Sequence, residues 1–142
     1  IRNLRKIIED AEVSLNDCFL TNAVLCLRKG DSATGPFPIW RDHPEYVKAC
    51  ADWHRNFIEE NKPELIILMG KPHLTHFGKL LYPELEDHWA GMKTMKSVYD
   101  AGKELIRFSG GPDLLLMRHP SSWHFVPLAI KDKTVENLKK YK

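Results

Sequence analysis

The sequence predicts an α/β domain with a small parallel sheet. Three observations carry this. Short, almost continuous apolar runs occur at residues 18–25, 65–69 and 114–117, as expected of strands buried on two faces. Stretches with helical spacing of apolar residues separate them. Proline and glycine stand at the borders, at Pro44, Pro63, Gly70, Pro72, Gly110, Gly111 and Pro112, where they start or stop elements. Strands alternating with helices in this way indicate βαβ organisation.

In order, residues 1–13 place Leu4, Ile7, Ile8 and Ala11 at helical spacing, and Ser14 to Asp17 read as a turn. The first strand is expected over residues 18–25, with Asn22 interrupting its apolar pattern. Residues 28–42 are rich in Gly, Pro, Ser and Thr and predict a long loop of the kind that carries function or stays irregular. Pro44 opens a helix at its favoured first-turn position. Tyr46, Cys50, Trp53 and Phe57 follow on one stripe, and Asn61-Lys62-Pro63 closes it. The second strand is Leu65 to Met69, closed by Gly70. Pro72 starts a helix to Leu81, and Pro83 a further one to about Tyr99. Residues 105–108 suit a short edge strand, Leu114 to Met117 the third buried strand, and residues 134–141 the last helix.

The 142 residues fit one domain. Net charge is +2, so any anionic partner must be met by a local patch. The tail from Lys131 offers five lysines against Asp132 and Glu136. Three cysteines in no paired spacing, Cys18, Cys26 and Cys50, oppose a disulfide scaffold and fit a reducing compartment, cytoplasmic or, in a eukaryote, nuclear. No apolar run approaches the ~18–20 residues of a membrane span. The chain begins at Ile1 with helical pattern at once, which reads as a chain that continues upstream.

The stretch Arg118-His119-Pro120-Ser121-Ser122 directly follows the third apolar run. Ligands of open α/β sheets bind at the carboxyl ends of the strands. Proline cannot continue the ladder, so the chain turns after the histidine. The serines then offer hydroxyls and backbone N–H groups to an anion. Asn22 is the second unusual residue. A buried amide must be bonded or cost ~1–3 kcal/mol. At a strand end, it either bonds a neighbouring loop or reads the flat edge of a ligand. His73 and His76 lie three apart with no third metal ligand in view. Neither a dinucleotide nor a P-loop glycine fingerprint is present.

The run Cys18 to Cys26 with Thr21-Asn22 inside it, Cys50 on the next helix, the strand Pro63 to Gly70, and His119-Pro120-Ser121 together resemble the uracil-DNA glycosylase superfamily in order and spacing. The resemblance spans nearly the whole chain. It implies a three-layer α/β/α fold and hydrolysis of the bond joining a flipped, deaminated base to deoxyribose, with uracil-containing or mispaired DNA as partner and the protein acting as a monomer. Asn22 matches the base-reading asparagine, and His119 the histidine that donates to uracil O2 as charge develops on the leaving base. Pro120, Ser121 and Ser122 match the turn that holds the DNA backbone. Trp123 and Phe125 fall where the family places its minor-groove loop, either as wedge or as cover for the sheet edge.

Cys26 and Cys50 resemble two of the four ligands of the superfamily's iron–sulfur branch. Two thiolates cannot hold a four-iron cluster, so a 4Fe-4S cluster requires further cysteines upstream, and no cofactor is expected otherwise. The family's first motif carries the residue that positions the attacking water, on a strand inside the sheet that would lie before Ile1. Without that strand two others keep unpaired edges. The alternative is a nucleic-acid-binding relative that kept the fold and lost the chemistry.

Overall fold

The computed structural model describes residues 2–25 and 42–141. Cys26 and most of the loop expected over residues 28–42 lie outside the described residues. Helix α1 (Arg2–Asp10) buries Ile7 and Ile8, and Glu12 at φ 59° ends it. A single 3-10 turn, Leu15–Asp17, is capped by the Ser14 hydroxyl. Helix α2 (Pro44–Asn61) starts on its proline and ends at Lys62, whose left-handed conformation returns its N–H to Ile58 O. Strand β1 (Leu65–Met69) leads into a π-helical turn (His73–Phe77), then α3 (Gly78–Leu81), α4 (Leu85–His88) and α5 (Met95–Asp100). Strands β2 (Leu105–Ile106) and β3 (Asp113–Met117), a 3-10 segment (Pro120–Phe125) and α6 (Leu128–Leu138) complete the order.

The sheet has three strands in the order β1-β3-β2. Strands β1 and β3 are parallel, from Leu65 opposite Asp113 to Met69 opposite Met117. The expected parallel sheet is corrected at its edge, because β2 pairs antiparallel with β3 through Leu105–Leu115 and Ile106–Leu114. The connection decides this. Only residues 107–112 join the two strands, and a parallel neighbour needs a crossover of about a dozen residues or more.

Strand β3 is buried on both sides. Leu114 and Leu116 face one apolar cluster with Val47, Ala51, Leu68, Leu74, Phe77 and Trp89. Leu115 and Met117 face another with Ile7, Ala11 and Leu138. All four are at most 1% exposed, which explains an uninterrupted apolar run where a one-sided strand would alternate. Each such side chain contributes roughly 1.5–3 kcal/mol by burial.

The strand expected over residues 18–25 does not form; beyond the turn these residues are irregular. A strand exists through its ladder, and this segment meets no neighbouring strand among the described residues. Its polar groups go to α2 instead. The Tyr46 hydroxyl donates to Leu25 O at 2.8 Å, Leu25 N–H reaches Cys50 Sγ at 3.5 Å, and Phe19 stacks on Phe57 with centroids 4.4 Å apart.

The expected stripe on α2 is rotated accordingly. The helix buries Val47, Cys50, Ala51 and His54, while Trp53 is 42% exposed and stacks on Phe57. The helix expected from Pro83 to Tyr99 ends at His88, the turn that follows takes Gly91 at φ +75°, and a helix restarts at a Thr94–Ser97 capping box. The last helix begins at Leu128 rather than Thr134. Its first turn leaves Leu128 72% exposed, so no inward apolar pattern marked the start. The π-turn needs Gly78, where a Cβ would sit 2.5 Å from His73 O.

Candidate active site

Strands β1 and β3 run parallel and in register, so their carboxyl ends finish side by side. Gly70 N–H donates to Met117 O at 2.8 Å and extends the pairing by one bond. An open cleft of about 300 Å³ lies at these ends, lined by Gly70, Lys71, Thr94, Met95, Lys96, Arg118, His119 and Ser122. Three cations and a histidine line it and no carboxylate does, so it favours an anionic ligand. Lys96 is paired with Asp100 at 2.5 Å in an exposed ion pair, which offsets part of its charge.

His119 caps the 3-10 segment that follows it. The Ser121 N–H donates to His119 Nδ1 at 3.2 Å, and Ser121 Oγ lies 2.7 Å from the same atom. A backbone N–H can only donate, so Nδ1 is the acceptor, and the neutral ring carries its proton on Nε2. The His119 carbonyl accepts from Ser122 N–H at 2.9 Å and from Ser122 Oγ at 3.0 Å. The imidazole is therefore oriented, with one donor left to give. The turn explains why the sequence reads His-Pro-Ser. Proline sits at the first helical position, and the serine supplies both contacts to the ring.

Of the other residues predicted for the site, Ser122 lines the cleft, Pro120 is buried beneath the turn, and Ser121 is exposed. Trp123 is half-buried and packs on the cluster of Ile7, Leu115 and Met117. Phe125 is 70% exposed, its ring 3.8 Å from that of His124. The structure thereby separates the two wedge candidates into a packed aromatic and a free one.

Asn22 is not brought into this cleft. It lies in the irregular segment on α2 with an exposed side chain. Its carbonyl accepts from His54 Nε2 at 3.0 Å. His54 is itself buried and, like His73, stands edge-on to Phe77. Burial depresses the basicity of both imidazoles, with the bonds to the Asn22 and Ala23 carbonyls partly offsetting it for His54. For His73, burial and then the neighbouring His54 bring the pKa down to about 4.

The described residues do not fit an iron–sulfur ligand set. Cys50 is buried and takes the Leu25 N–H on its sulfur. Cys18 donates to Ser14 O at 3.4 Å. Among the described residues no group of three or more His, Cys, Asp or Glu could hold a metal ion, and no helix is long and apolar enough to cross a membrane.

Sequence reasoning missed Lys71, Lys96, Arg118 and Thr94 as cleft residues. Lys71 and Arg118 had a signal, since each sits within two residues of the end of an apolar strand. Thr94 and Lys96 had none, because only the packing of α5 brings them there. A search of curated proteins finds no match. The family model of the Uracil DNA glycosylase superfamily matches residues 2–140, nearly the whole chain. With a histidine presented at the carboxyl end of a central strand of an α/β sheet, the chain belongs to the uracil-DNA glycosylase superfamily.

Proposed function

We propose that this protein is a DNA glycosylase that hydrolyses the N-glycosidic bond of a flipped, deaminated base. The domain would span residues 1–142 in a three-layer α/β/α arrangement, a reading supported by apolar clusters on both faces of β3. The observation that carries the activity is the oriented His119 imidazole, its Nδ1 occupied by Ser121 and its proton on Nε2, in a cation-lined cleft.

In the reaction a water oxygen bonds to C1′ as the bond from C1′ to the base nitrogen breaks. The attacking water gives up a proton to solvent, and the base, which leaves with the electron pair, takes one up. His119 Nε2–H donates to the base oxygen where the negative charge gathers, a contribution of roughly 2.7–4 kcal/mol for a preorganised donor. Extruding the base costs a few kcal/mol, least at mispairs and in single strands. Pro120, Ser121 and Ser122 hold the backbone beside the flipped nucleotide, with Lys71, Lys96 and Arg118 meeting phosphates. Phe125, exposed beside that turn, fills the gap in the stack. Asn22 reads the base edge, which requires its segment to swing toward the cleft when DNA binds. No cofactor enters the reaction. The protein works as a monomer in the cytoplasm, or in the nucleus of a eukaryotic cell.

One observation favours a second reading. Asn22 stands outside the cleft that holds His119, as expected of a relative that binds nucleic acid without acting on it. Release of free uracil from single-stranded DNA separates the two. The glycosylase reading predicts uracil release by the full-length protein and a large loss of rate in Asn22→Ala. DNA binding with no release supports the second reading instead.

A further inference from the structure

Two side chains from distant parts of the chain hold backbone groups of the residues on either side of His119. The Tyr99 hydroxyl, on α5, accepts the Arg118 N–H at 2.8 Å. The Asn3 amide, on α1, donates to the Pro120 carbonyl at 2.8 Å, across 117 residues of sequence. Both bonds are partly buried. The Arg118 N–H lies outside the strand ladder, and the Pro120 carbonyl belongs to the first residue of the 3-10 segment. The Arg118 N–H lies one residue beyond the end of β3 and would otherwise need water. The Pro120 carbonyl opens the segment that carries Ser121.

From this we infer that Asn3 and Tyr99 form a brace that positions His119, with α1 and α5 gripping the histidine turn from its two ends. The inference rests on the catalytic role proposed for His119. Tyr99 fixes where the turn leaves the sheet. Asn3 fixes where it enters the 3-10 segment. Between them the His119 carbonyl is held by Ser122 and the ring by Ser121. Tyr99 is itself half-buried and packs against the core cluster that includes Leu114 and Leu116. Both are positioning residues, since neither lines the cleft.

Tyr99→Phe and Asn3→Ala test this in the full-length protein. Tyr99→Phe removes one oxygen and keeps the packing, and Asn3 is exposed, so both variants should fold. Two readouts are needed. Nitrogen NMR of the His119 ring reports its tautomer, and single-turnover release of uracil from single-stranded DNA reports chemistry apart from binding. The brace predicts a shift toward mixed tautomers in both variants and a release rate lowered by roughly 10- to 100-fold, as for other misplaced catalytic groups. Affinity for an abasic oligonucleotide should stay within about twofold. Ring signals unchanged from wild type in both variants would overturn the brace whatever the activity. Shifted signals in a protein whose wild type releases no uracil would keep the brace and remove the glycosylase reading.

Discussion

Gly70 and His119 meet at the point where the two parallel strands end. Gly70 takes φ +105°, and a Cβ there would stand 3.6 Å from the His119 Cβ. Contact alone is tolerable at that distance; the backbone angle is not. An L-residue held in such a region costs of order 1–3 kcal/mol. Gly70→Ala should therefore lower stability by about that amount in urea unfolding, and relief of the strain should displace the histidine turn and lower uracil release. An alanine variant as stable as wild type would contradict this. His119 was legible in the sequence because one local pattern, an apolar strand followed by His-Pro-Ser, fixes both its position and its turn. Asn22 was legible only as an anomaly in an apolar run. Its surroundings depend on whether that run finds a ladder partner, which no local pattern encodes.

At the scale of elements, the segment of residues 18–25, helix α2 and the π-turn meet around the buried His54 and the half-buried His73. His54 donates to the Asn22 carbonyl. The Nδ1 side of the His73 ring is buried and finds no hydrogen-bond partner among the described residues. With its pKa down to about 4 in the folded protein against ~6.5 unfolded, His73 is neutral when folded at pH values where the unfolded chain is protonated. Stability is then full above pH ~6.5 and falls as the pH drops toward 4, by up to about 3 kcal/mol. His54 shifts in the same direction. Thermal melts from pH 7 to 4.5 should show this loss, and His73→Gln should flatten it. An equally steep decline in that variant would place the titration elsewhere. Element types were mostly readable from periodicity, prolines and glycines. Three outcomes needed tertiary knowledge. The antiparallel β2 follows from a connection too short to cross over. The rotated face of α2, with Phe57 stacked on Phe19 and Trp53 and Val47, Cys50, Ala51 and His54 buried, depends on which neighbours pack on the helix. The break after His88 turns through Gly91 at a positive φ.

For the whole molecule, a net charge of +2 concealed a local concentration. Lys71 follows β1, Arg118 follows β3 and Lys96 lies on α5, and all three line one cleft. Each phosphate they meet releases condensed counterions, so affinity for single-stranded DNA should fall with salt by about 0.7 logarithmic units per contact and decade. Lys71→Ala and Arg118→Ala should each weaken binding alike for all sequences and reduce the salt slope by about 0.7. Titrations at several salt concentrations check this, and unchanged slopes would move the DNA path away from the cleft. The central claim is that the oriented His119 carries the chemistry of a glycosylase. Its most direct test is single-turnover release of uracil from single-stranded DNA by the full-length protein and by His119→Ala. The proposed function predicts release by the wild type and a loss of about 10²–10³ in rate for the variant, the usual cost of one preorganised donor. Equal rates in the two proteins would contradict it.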